Sequence, residues 1–142
     1  MSKPLIVGEA NPYGGDPAMA LYPLPERASG DRLCTLVMGL NRARYLSMFD
    51  RVNLCPERWS APVARENARL ICAGAHDTVV LLGSKVAGAF GLEFNPFTSG
   101  RLAKSDHQYV LLPHPSGLNR IWNQAGAFEK ARATLRSAGI PL

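Results

Sequence analysis

The stretch "DTVVLLG", residues 77–83, decides the fold. Thr78 to Leu82 are all β-branched or apolar and show no alternation with polar residues, so the strand they predict leaves neither face to water. Such a strand belongs in a parallel sheet covered by helices. "PLIVGEA" (Pro4–Ala10), "FDRVNLC" (Phe49–Cys55) and "HQYVLLP" (His107–Pro113) are further strands. Helical segments lie between them. Asp31 caps one running through "RLCTLVMGL"; Ser60 caps another, with Pro62 in its first turn, through "VARENARLICAGA". Ser84 caps the short "SKVAGAFGL", and a last helix runs from about Ile121 to Ala138 and closes at Gly139. "CPERWSAP" and "NPFTSG" are turns. The alternation predicts an α/β protein: one domain over residues 1–142, a three-layer α/β/α sandwich on a central four-stranded parallel sheet.

The totals agree with a folded domain. A chain of 142 residues is large enough to bury roughly 68–70% of its unfolded surface, so it needs no disulfide or metal to fold. No apolar run approaches the roughly 20 residues of a membrane span. Met1-Ser2-Lys3-Pro4 leads straight into the first strand and leaves no room for a signal peptide, so a cytoplasmic, monomeric protein is expected. The net charge is +5, and twelve of the 16 cations are arginines. Arginine pairs bidentately with phosphate, which suits a polyanionic partner, although a solvated basic surface has the same composition. Cys34, Cys55 and Cys72 lack metal-ligand spacing. Cys72 is most simply a small buried hydrophobe, and a cysteine nucleophile paired with a histidine is the lesser alternative.

In open α/β sheets ligands bind beyond the carboxyl ends of the strands. "GEANPYGG", "NLCPERW" and "HPSGLNR" all fall there. The first opens a long loop, Asn11–Gly30, rich in proline and glycine, and loops of that length in compact domains are usually functional. Together these segments bring a Glu, an Asn, a Tyr and a His to one edge. "GEANPYGG" is neither a P-loop, having no Lys-Ser/Thr after its glycines, nor a G-x-G-x-x-G dinucleotide turn.

These segments resemble the motifs of the uracil-DNA glycosylase superfamily. Its first motif follows strand one in forms such as G-E-A-P-G, G-x-N-P-G and G-Q-D-P-Y-H, and "GEANPYGG" shares features with all three. Its second follows the last strand as H-P-S or N-P-S-G-L-x-R. "HPSGLNR" joins the histidine of one branch to the tail of the mismatch-specific branch. The middle, "RVNLCPERWSAP…VVLLGSKVAGAFGL", is similar to the N-x-x-(K)-C-R-P and V-x-L-L-G-x-x-A segments of the family 4 (iron–sulfur) branch. That branch uses four cysteines, of which only Cys55 has a counterpart here, so no cluster is implied, and neither metal nor cofactor is expected.

The resemblance implies a monofunctional DNA glycosylase of base-excision repair, hydrolysing the bond between deoxyribose and a flipped-out uracil or modified pyrimidine to leave an abasic site. His114, held between Pro113 and Pro115, would donate to the anionic base, and Glu9 or Asn11 would orient the water. Asn53 would read the pyrimidine edge, beside Gly8 and a Tyr13 that matches the family's methyl-excluding tyrosine. Leu118 would fill the space the base leaves, and Ser116, Gly117, Asn119 and Arg120 would contact DNA. Simpler roles exist for each: a loop-bonding histidine, a turn asparagine, a Glu9 paired with arginine, a leucine in the core. Trp59 and Trp122 are expected to pack on the sheet rather than on bases. Two alternative functions are a catalytically weak DNA-binding or damage-recognition protein and a nucleoside or nucleotide N-glycosidase.

Overall fold

The structure is a computed structural model that describes residues 2–10, 16–103 and 105–142. In chain order it has β1 (Leu5–Ala10), α1 (Ser29–Asp31) running into a π-helical segment (Arg32–Val37), α2 (Arg42–Met48), β2 (Asp50–Cys55) and α3 (Ala61–Cys72). Then come β3 (Thr78–Leu82), α4 (Ser84–Ala89), β4 (Thr98–Arg101), β5 (Gln108–Leu112) and α5 (Ala127–Ser137).

The five strands form one sheet in the order β2-β1-β3-β5-β4. All neighbours are parallel except β4, which runs antiparallel to β5. The expected four parallel strands are therefore joined by a fifth. "NPFTSG" is not merely a turn: Thr98 opens edge strand β4, whose Gly100 pairs with Tyr109. A side chain at Gly100 would collide with the Tyr109 ring, its Cβ lying 2.7 Å from the hydroxyl.

Successive residues of the central strands feed opposite layers, as the pleat requires. Ile6, Val80, Leu82, Val110 and Leu112 face a core shared with the π-helical segment, Tyr45 of α2, and Ala131 and Leu135 of α5. Leu5, Val7, Val79, Leu81 and Leu111 face a second core with Ala64 and Ala68 of α3 and Val86 and Ala87 of α4. Alanines at i and i+4 on α3 and α5 let both helices lie close on the sheet.

The caps differ in part from expectation. Ser60 Oγ accepts the Val63 N–H at 3.5 Å, with proline in the first turn of α3. Ser84 instead lies inside α4, and Gly83 holds the cap with φ +93°. Asp31 starts no helix: α1 begins at Ser29, and the Asp31 carboxylate takes the Arg27 N–H at 3.0 Å and Arg42 at 3.3 Å. The last helix is two pieces. A 3-10 turn at Arg120–Asn123 precedes α5, and Gly126 between them has φ +77°.

Candidate active site

The chain leaves β1 towards β2 on one side, while β3 lies on the other. That divergence opens a crevice beyond the strands' carboxyl ends, where ligands of such sheets sit. A cavity of about 250 Å³ lies there, lined by Glu9 from the end of β1, Asn53 from β2 and His114 just past β5. Met19, Leu21, Tyr22, Leu24 and the Ala28–Gly30 backbone complete its wall. It falls below the roughly 300–1,000 Å³ of sites for drug-sized molecules. A larger cavity, about 770 Å³, lies between α3 and α4, but it gathers no comparable set of polar groups.

His114 is anchored through its backbone carbonyl. Its carbonyl accepts Trp122 Nε1–H at 2.9 Å and Asn119 Nδ2–H at 3.2 Å. Trp122 itself is buried, stacked on Phe128 and edge-on to Phe97, so the anchor is rigid. The ring Nδ1 accepts the Ser116 backbone N–H at 3.2 Å. A nitrogen that accepts carries no proton, so in the neutral ring the hydrogen sits on Nε2, as a donor. Burial holds the imidazole below its ordinary pKa of 6.5, and the negative charge of Glu9 opposes that shift. The ring is therefore neutral at pH 7.

Two glycines make room for this set. Gly8 pairs in register with Asn53, and a Cβ on it would come within 2.5 Å of Asn53 Oδ1. Gly83, at φ +93°, lies between the other two groups: a Cβ there would stand 3.4 Å from His114 Cβ and 3.5 Å from Glu9 Oε1. Among the described residues, neither the Asn53 carboxamide nor the Glu9 carboxylate has a hydrogen-bond partner. Glu9 pairs with no arginine among them, and Asn53 satisfies no turn of its own.

The loop after His114 is shaped by its own polar side chains. Ser116 Oγ accepts the Leu118 N–H at 3.2 Å, and Asn119 Oδ1 accepts the Ile121 N–H at 3.2 Å. Ser116 and Asn119 thus build the loop. Leu118 is 92% exposed at its tip, outside the core, and Gly117 and Arg120 are exposed beside it. Asn11 and Tyr13 lie outside the described residues.

Several residues at this edge escape a reading of the sequence. Tyr45, buried on α2, donates its hydroxyl to the Leu21 carbonyl at 2.9 Å and so fixes the cavity wall; burial pushes its phenol well above the usual value. A Cβ on Gly30 would collide with the carbonyls of Leu21 and Tyr22. Arg32 donates Nε–H to the Pro115 carbonyl at 3.0 Å. The glycines Gly30 and Gly83 were the available signals; nothing in the sequence marks Tyr45 or Arg32. Among the described residues no group of three or more His, Cys, Asp and Glu is arranged to hold a metal ion, and no helix is long and apolar enough to cross a membrane.

The chain matches no protein-family model and no curated protein.

Proposed function

We propose that this protein is a DNA N-glycosylase with the fold of the uracil-DNA glycosylase superfamily, whose motifs its strand-end loops resemble. The observation that carries the proposal is the meeting of Glu9, Asn53 and His114, from the ends of β1, β2 and β5, around one small cavity, with an exposed leucine four residues beyond His114 in the chain. A base reaches such a cavity only after leaving the stack.

In this mechanism the Asn53 carboxamide, without a hydrogen-bond partner among the described residues, offers a donor and an acceptor to the base edge. As the C1′–N bond breaks, its electron pair leaves with the base and spreads onto the carbonyl oxygen O2. The neutral His114 donates from Nε2 to that oxygen, with most effect where water is excluded. Glu9 orients a water toward C1′, accepts its proton and favours the cationic sugar. The products are a free base and an abasic site. Leu118 occupies the gap in the stack, offsetting part of the few kcal/mol that unstacking costs. A free nucleoside has no stack to fill, so the exposed Leu118 favours a DNA substrate over a nucleoside.

The test is incubation with oligonucleotides that each carry one lesion, among them uracil, hydroxymethyluracil and deaminated purines, followed by alkaline cleavage. Strand scission at one or more lesions, lost in His114→Ala, is expected. No scission at any lesion, in single or double strands, rejects the proposal.

A further inference from the structure

We propose that Arg32 binds a backbone phosphodiester of the DNA beside the extruded nucleotide and so couples strand seating to the Ser116–Leu118 loop. This rests on the glycosylase reading above and adds a residue to it.

Most arginines of the chain have work inside the fold. Arg69 pairs with Glu66, Arg42 with Asp31, Arg132 binds the carbonyls of Leu36 and Val37, and Arg51 those of Ala18 and Ala20. Arg32 is half-buried and, like Arg51 and Arg132, makes no ion pair among the described residues, but where each of those two makes two bonds to carbonyls there, Arg32 makes one. One donor, Nε–H, is spent on the Pro115 carbonyl. The rest of its fork lies along Gly117, with Cζ and Nη1 each 3.7 Å from where a Gly117 Cβ would be. A guanidinium has five N–H donors in a fixed plane, so four have no acceptor among the described residues, in the geometry that matches phosphate oxygens.

Position points to the same ligand. Arg32 directly follows the Ser29–Asp31 turn, two of whose residues, Ser29 and Gly30, wall the cavity. Its bonded partner, Pro115, adjoins His114, and its neighbour Gly117 adjoins the exposed Leu118. The side chain therefore stands between the cavity wall and the loop tip. A nucleotide whose base entered the cavity would bring its own phosphates to the mouth. The absent side chain of Gly117 leaves the guanidinium free to meet one. Partial burial weakens competition from water, so a charge with no ion-pair partner among the described residues gains more from an anion here than a surface arginine does.

Binding to a duplex with one abasic site, measured by fluorescence anisotropy over a range of salt, tests the assignment. For the wild-type protein log K should fall steeply with log salt, and Arg32→Gln should reduce that slope by about 0.9, the value for one phosphate on duplex DNA. Arg32→Lys, which keeps the charge, should retain the slope. A steep wild-type titration with an unchanged slope in Arg32→Gln overturns the assignment while leaving the glycosylase reading intact. A flat wild-type titration overturns both. In the wild-type protein, phenylglyoxal labelling of Arg32, read by peptide mass spectrometry, should be suppressed by the same duplex. Equal labelling with and without DNA overturns the assignment without recourse to a variant.

Discussion

The proposed reaction makes two demands of His114: it must stay neutral, and it must present a particular nitrogen. Burial meets the first and the Ser116 N–H meets the second. Both lead to measurable consequences. The unfolded chain takes up a proton at this ring near pH 6.5, the folded chain only at lower pH. The neutral ring's contribution to stability is therefore complete above about pH 6.5 and is lost as the pH falls below it. Protonation at Nδ1 would also break the bond from Ser116. Melting temperature should drop on acidification through this window more steeply in the wild type than in His114→Gln; parallel curves would place the acid sensitivity elsewhere. Glu9 favours the protonated ring, so Glu9→Gln should lower the imidazole pKa further, a shift that histidine NMR titration resolves and whose reversal would rule out their coupling. His114→Ala should slow base release by about 10²–10³, the cost of one well-placed donor. Single-turnover kinetics on a cleaved lesion measures it.

Among the elements, the π-helical segment and the loop after β5 do most to shape the edge; the loop is legible in the sequence through "HPSGLNR", the π-helical widening is not. "RLCTLVMGL" has the apolar content of an ordinary helix, but its later turns are wide: Met38 N–H bonds Leu33 and Leu40 N–H bonds Cys34. Ahead of these turns, Arg32 bonds the loop at Pro115, and a Cβ on Gly30 would collide with the Leu21 and Tyr22 carbonyls. Backbone cannot yield as a side-chain tip can, so Gly30→Ala should cost about 1–3 kcal/mol by urea unfolding and disturb the cavity as well. A wild-type midpoint would show that the turn relaxes freely. The parallel strands are legible because continuous apolar runs have few other uses. β4 is hidden because it is short, at the edge and exposed, with glycine and serine where a buried strand shows valine. α2 is hidden for a similar reason: of its seven residues only Tyr45 is fully buried, too few to mark a helical face. The break before α5 could have been inferred from Gly126, but the flanking helix-forming residues obscure it.

At the scale of the whole molecule, the sheet core and the site at its carboxyl edge are made by different residues of the same strands. The core residues of β3, Val79–Leu82, end at Gly83, where the candidate site begins. Legibility divides at the same boundary. Burial leaves a periodic signature along the chain, so the layers can be read from one sequence. The meeting of Glu9, Asn53 and His114 depends on strand order, and the order β2-β1-β3-β5-β4 leaves no local trace. Only the rule that ligands gather beyond strand ends, together with a family's motifs, brought these residues together in advance; Arg32 and Tyr45 carry no such mark. The division predicts that stability and activity separate on mutation. Leu135 is fully buried on α5, away from the cavity wall, and its truncation to alanine should cost about 2–5 kcal/mol while the folded fraction releases base at the wild-type rate. Leu118→Ala should do the reverse. At 92% exposure it has little packing to lose, so stability should stay within about 0.5 kcal/mol. Its activity on duplex should fall more than on single strands, where no stack needs filling. Equal losses on both substrates would remove Leu118 as a wedge. A Leu135→Ala protein that folds but turns over slowly would show that the edge is not independent of the layers beneath it.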